Sequence, residues 1–420
     1  MSLWRAIEIR TEDRRLRQSS RRKNYMRGNM LTLIALGVTV ICSPIAWAQS
    51  SSSTSLQKSS RIDLKGLTKK AESGSTEAQF RLGLAYQFGR GVNKDIYEAS
   101  HWYRIAAEHG DPLAQNNLGY LYETGPEGIK DLAEASKWYM RAAVSGNSMA
   151  QLNLGVLYLR GEGVKKNVAD GMHWIRRAAE AECPTAMAVL GYFYAAGQDV
   201  PQDLGQAVKL ARKAAKKKDP GGEGLLGVFY AAGLGVSADP VEAAKWFGKA
   251  AEAGNAEAQF RLGVMYELGK GVKQDAQEAR RRYRVAGEGG SMKAQAVLGQ
   301  MYELGQGVEA DHQEAAKWYR LAIEQGETRC ATRLGAMLLN GDGVERNLPE
   351  AVKLWTWAAD QGNAHAQFNL AQLYLTGTGV LRDLGKANSL LTLAGKTLDV
   401  SKQLDELSSK MRQDELAKGH

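Results

Sequence analysis

The sequence predicts an all-α protein, an α/α solenoid of nine 36-residue helix-turn-helix repeats closed by capping helices. Three periodic observations carry this prediction. A leucine-glycine pair returns every 36 residues, at Gly83, Gly119, Gly155, Gly191, Gly227, Gly263, Gly299 and Gly335, and Leu370-Ala371 takes the ninth place. Twelve residues after each of these positions stands Asp or Asn, from Asp95 to Asp383, followed three residues later in most units by Glu or Gln. An alanine-rich segment comes next, with Trp102, Trp138, Trp174, Trp246 and Trp318 in one register. A unit of this length buries its apolar face only against its neighbours, so the chain reads as one elongated array.

Residues 1–48 read as an N-terminal extension and export signal. Arg27 precedes an apolar run from Leu31 to Cys42, then Pro44 and the Ala46-Trp47-Ala48 cleavage pattern. The run is short for a membrane span. This predicts cleavage after Ala48, a periplasmic or secreted product, and no stable membrane span afterwards; an uncleaved anchor is the alternative. Residues 49–60 form a serine-rich linker with nothing to bury. Residues 61–73 match the second half of a unit and form an N-terminal half-repeat cap, and 74–397 hold the nine repeats. Residues 398–420 are a C-terminal capping helix and tail, amphipathic through Leu404, Leu407, Met411 and Leu416.

Within one unit, Ala114, Leu118, Leu121 and Tyr122 follow helical spacing. Gly119 predicts a helix contact too close for any side chain, and Gly125 a left-handed helix end. The Asp or Asn then caps the second helix, and the Glu three residues on makes something close to a capping box. That role accounts for carboxylates that would otherwise suggest catalytic pairs. The tryptophans read as core, with a sugar-stacking ladder as the rival. In the fourth unit Leu210 replaces tryptophan. The run Lys216-Lys217-Lys218-Asp219-Pro220-Gly221-Gly222 predicts a bend or loose joint between the first four and last five units.

Charge and missing motifs narrow the function. Of the net charge of +9, the first 48 residues carry nine Lys/Arg against three Asp/Glu, which leaves +3 for the rest. The basic composition therefore predicts no nucleic-acid partner. The sequence lacks H-E-x-x-H, C-x-x-C, G-x-S-x-G and a phosphate-binding loop. His101, His109, His173, His312, His365 and His420 show no metal-ligand spacing. No catalytic residue, metal or cofactor is expected. Cys183 and Cys330 lie about four repeats apart, too far for a disulfide, and read as packing residues.

The run Ala258-Gln-Phe-Arg-Leu-Gly263-Val-Met-Tyr266-Glu-Leu-Gly269-Lys-Gly-Val272, with Asp311-His-Gln-Glu-Ala-Ala-Lys-Trp318-Tyr319-Arg-Leu-Ala322, resembles the Sel-one-like repeat family, relatives of the tetratricopeptide repeats. The resemblance spans residues 74 to 397. It implies antiparallel helix pairs in a right-handed superhelix with a concave groove. It also implies adaptor work, in bacteria often in envelope signalling, exopolysaccharide control or host contact, and no single reaction. Secreted relatives linked to β-lactam binding are rich in paired cysteines, which this chain lacks, so a β-lactamase-like hydrolase is a remote alternative.

The sequence thus leads to a non-enzymatic, exported protein-interaction scaffold in the envelope of a Gram-negative bacterium, regulating signalling or exopolysaccharide production. A carbohydrate-binding envelope protein is the alternative. The candidate groove is the variable position two residues before the repeat glycine: Arg81, Asn117, Asn153, Val189, Leu225, Arg261, Val297, Arg333 and Asn369. A partner peptide or domain would lie there. Arg280, Arg281, Arg282 and Arg284, with Arg282 in the tryptophan register, form a candidate basic patch for an anionic polysaccharide, a phosphate or an acidic protein surface.

Overall fold

The computed structural model describes residues 63–418 apart from Gln198, with side chains as far as Arg412. The expected export signal and linker lie outside these residues. Those described form twenty helices and no strand, in two compact units, 63–258 and 259–418.

Each repeat contributes a first helix, A, and a second, B. In the first unit α1 (Leu64–Glu72) stands alone. The A helices are then α2 (Thr76–Phe88), α4 (Pro112–Thr124), α6 (Ser148–Arg160), α8 (Pro184–Ala196) and α10 (Pro220–Ala232). The B helices between and after them are α3 (Ile96–Glu108), α5 (Leu132–Val144), α7 (Val168–Glu180), α9 (Leu204–Lys216) and α11 (Pro240–Glu252). The unit boundary falls in the first turn of α12 (Ala256–Leu268). The second unit continues with α13 (Ala276–Glu288), α14 (Met292–Leu304), α15 (His312–Glu324), α16 (Thr328–Asn340) and α17 (Leu348–Asp360). It ends with α18 (Ala364–Thr376), α19 (Leu384–Ala394) and α20 (Ser401–Lys418).

Capping starts every B helix, though not as a closed box. The Asp131 carboxylate accepts from the amides of Ala133 and Glu134 at 2.9 and 3.0 Å. Its own N–H, however, donates to Tyr122 O at 2.8 Å, and the same bond recurs from Asp95 to Tyr86 and onward to Asp383 and Tyr374. With that donor occupied, the glutamate turns outward to the lysine three residues on: Glu134–Lys137 at 2.5 Å, Glu242–Lys245 at 3.1 Å, Glu314–Lys317 at 2.9 Å.

The helix A terminus of the second repeat differs from its expected form. Gly161, Gly197 and Gly233 end their helices in the left-handed region, whereas Gly125 has φ −66° and is extended. Pro126 follows it, and a residue before proline is pushed to extended geometry. The predicted loose joint at Lys216–Gly222 is also absent. Asp219 caps α10, accepting from Gly222 N at 2.7 Å and Thr185 Oγ1 at 2.8 Å, and Pro220 takes the first helical position. Both glycines are buried, and a Cβ on Gly222 would strike Ala214 of α9. Gly222 permits close approach rather than bending.

Packing repeats with the sequence. Each repeat glycine except Gly191 meets the ring or branched side chain of its own B helix; a Cβ on Gly119 would come within 2.8 Å of Tyr139. Glutamines four residues earlier cross to the preceding B helix and satisfy its free terminal carbonyls. Gln79, Gln115, Gln151 and Gln367 each donate through Nε2 at 3.1 Å to Ala71, Ala107, Ala143 and Ala359. Trp138, Trp174, Trp318 and Trp355 are buried, as are Cys183 and Cys330.

Candidate functional site

The A layer of the first unit is closed at its middle. Neither α6 nor α8 has an exposed residue. The candidate groove residues Asn117 and Asn153 are only 6% and 5% exposed. Asn153 Nδ2 donates to Asn116 Oδ1, and Asn116 Nδ2 to Asn117 Oδ1, both at 3.3 Å. The position two before the glycine therefore lies in the seam between successive A helices, where Val189 and Leu225 are also buried. Arg81 is exposed and paired with Glu77 at 2.7 Å. In the second unit Arg333 is exposed and pairs with Glu303 at 2.9 Å, while Arg261, Val297 and Asn369 are half-buried. The structure links Asn117 to Asn153 through Asn116.

Nor do the four arginines of α13 make one patch. Arg281 and Arg282 both pair with Glu278, at 2.7 and 2.6 Å. The Arg281 bond and then the Arg282 pairing hold the Glu278 carboxyl down at about 2. Arg282, standing where other units carry tryptophan, also donates to Gln259 Oε1 at 3.1 Å. Arg284 donates to the Tyr302 hydroxyl, and Arg280 lies beside Gly307. Their charge is divided among separate partners.

The open surface is the outer face of the B helices. It carries a row that sequence reading missed, twenty-two residues after each repeat glycine. In the first unit the row runs Ile105, Arg141, Arg177, Lys213 and Lys249; in the second it runs Val285, Leu321, Trp357 and Leu393. Val285, Leu321 and Leu393 are 42%, 41% and 44% exposed, and Trp357 is half-buried. Cations turn the row toward anions in one unit, and apolar side chains turn it toward apolar surface in the other. The register alone would have exposed this change, had every outward position been read down the repeats.

Chemistry of other kinds finds no assembly. Among the described residues no three His, Cys, Asp or Glu side chains meet so as to hold a metal. His101 and His173 lie edge-on to Trp102 and Trp174 at 5.3 and 5.5 Å. Burial raises the Cys183 and Cys330 thiols, which removes the thiolate that reactivity requires. No described helix is long and apolar enough to cross a membrane.

These features define a helical-repeat protein of the solenoid class. The Sel1 repeat model matches residues 76–111, 112–147, 148–183, 184–219, 224–255, 256–291, 293–327, 328–363 and 364–396, and the chain belongs to the Sel1 repeat family. A solved protective antigen of uropathogenic Escherichia coli with an SLR fold, c5321, is 35% identical over 81% of this chain and 73% of its own, at a TM-score of 0.50. A Sel1 repeat protein from Oxalobacter formigenes is 33% identical over 80% of this chain and 94% of its own, at 0.52. No curated protein matches the sequence. Sel1 repeat proteins generally act as protein-interaction scaffolds, typically without enzymatic activity.

Proposed function

We propose that this chain is an exported scaffold of the bacterial cell envelope that docks a partner protein on the outer face of its B helices, in the service of signalling or exopolysaccharide production. The observation that carries the docking surface is the row of exposed Val285, Leu321 and Leu393 with half-buried Trp357, one apolar side chain on each successive B helix of the second unit. Apolar side chains gathered in this way on a soluble surface mark interaction sites. Acidic residues rim the row (Glu288, Glu324 and Asp360, all exposed), which favours a partner with basic flanks. The envelope location rests on the Arg27 to Ala48 pattern and agrees with the protective-antigen relative.

Photo-crosslinking in the native host tests this, with probes at Val285, Leu321 and Leu393 and closed positions Asn117 and Asn153 as controls. One dominant protein captured from the row and not from the controls is the expected result. Glycan fragments on the probes, without protein, would replace the scaffold with the carbohydrate-binding reading. The buried tryptophans already leave that reading little exposed ring to stack on.

A further inference from the structure

We infer that the corresponding row of the first unit, Arg141, Arg177, Lys213 and Lys249, docks an extended acidic segment of a partner protein, one carboxylate per B helix. The inference rests on the scaffold reading and names the chemistry of a second surface. All four side chains are exposed, and among the described residues none of them takes part in a salt bridge. Three are held over tryptophan rings of their own helices. Arg141 lies 4.5 Å from the Trp138 centroid, Arg177 5.3 Å from Trp174 and Lys249 3.9 Å from Trp246. Such contacts limit the freedom of the head groups while leaving their charge outward. The fourth helix, α9, has leucine in the tryptophan register and compensates in charge: Lys209, Arg212 and Lys216 join Lys213, with no acidic side chain on the helix.

Spacing selects the partner. Helices stacked in one layer lie roughly 10 Å apart, a distance that extended chain covers in about three residues. A peptide with Asp or Glu at every third position therefore matches the row. A polymer charged at every monomer does not. A nucleic-acid duplex carries a phosphate on each strand about every 3.4 Å of its axis, and its surplus charge would face the exposed Glu180 and Glu252, one turn beyond Arg177 and Lys249. A polyuronate meets the same obstacle. On α5 that place is taken by Val144, 67% exposed, which offers the end of the segment an apolar contact.

The test uses the full-length protein and a fluorescent peptide of about twelve residues with Glu at every third position and Ser and Ala between, read by anisotropy. Binding should weaken as salt rises and fall roughly tenfold in Arg177→Glu/Lys213→Glu. The same peptide with Gln for Glu should not bind. Should the double reversal lower the melting temperature, Lys213→Gln alone still weakens binding several-fold. Equal binding of the Glu and Gln peptides, or undiminished binding by the variants, would overturn the inference. So would a polyuronate that binds where the peptide does not. Leu321→Asp separates the two readings: it should abolish the crosslinked partner of the second unit and leave the peptide affinity unchanged.

Discussion

The Tyr139 hydroxyl donates to Glu123 Oε2 at 2.7 Å, joining the B helix to the A helix of one repeat across sixteen residues of chain. The same bond links Tyr103 to Gln87 and Tyr283 to Glu267, both at 2.6 Å, and Tyr319 to Glu303. Where the tyrosine position holds Ile175, Ala211, Phe247, Trp355 or Leu391, its partner is Leu159, Ala195, Ala231, Leu339 or Leu375. The two positions change together in every repeat.

Tyr139→Phe should therefore cost about 1–2 kcal/mol, because a half-buried carboxylate loses its donor. Adding Glu123→Leu should recover most of the loss, since both partners then match an apolar repeat. Burial raises the Glu123 carboxyl above its ordinary range, and the Tyr139 bond opposes that rise. A carboxyl raised in the folded state lowers stability as pH climbs through the raised value. The single variant should thus be penalised more at pH 8 than at acid pH, as denaturant melts at several pH values will show.

The repeat glycines should not be equivalent. Gly119→Ala drives a Cβ to 2.8 Å from the Tyr139 ring and should cost about 1–3 kcal/mol. At Gly191 the nearest atom is Ala207 O at 3.2 Å. The gain in helix propensity, about 1 kcal/mol, offsets that contact, so Gly191→Ala should melt within a few degrees of wild type. Ala371 in the ninth repeat follows the same logic, because Leu391 stands there instead of an aromatic ring.

Glu223 occupies the position from which glutamines donate to the preceding helix, but an ionised carboxylate has no proton to give. It is buried, and that burial raises its carboxyl, with Lys249 opposing and Asp219 and Glu252 adding to the rise against Lys218. Glu223→Gln should stabilise the protein by about 1 kcal/mol at pH 7. Wild-type stability recovers as pH falls below the raised value, where the protonated acid can itself donate. The gain should shrink on acidification, and a gain independent of pH would contradict the explanation.

Cys183 stands where most other A helices have Ser, Asp or Asn caps, and its side chain caps nothing; its thiol instead touches Met149 Sδ at 3.5 Å. Cys183→Ser should add about 0.5–1 kcal/mol, measured by chemical unfolding.

Periodicity made the architecture legible: a glycine, a cap and a packed ring recur at fixed offsets, and each has one local physical meaning. The surface was less legible. Asn117 and Asn153 look like solvent-facing polar residues, yet neighbouring A helices bury both sides of α4 and α6 and the amides bond to each other through Asn116. The basic run on α13 reads as a patch until Glu278 and Tyr302 divide it. Gly125 depended on Pro126 rather than on the repeat. The outward row stayed hidden because one exposed lysine or leucine is ordinary on any helix. Only stacking places Leu321 beside its counterparts on one face.

In the proposed mode of docking, partners meet the B layer and leave the A layer untouched. Hydrogen exchange of the protein with and without its crosslinked partner tests this most directly, read helix by helix. Added protection along α13, α15, α17 and α19, with α6 and α8 unchanged, is the expected result. Protection confined to the A helices would contradict it.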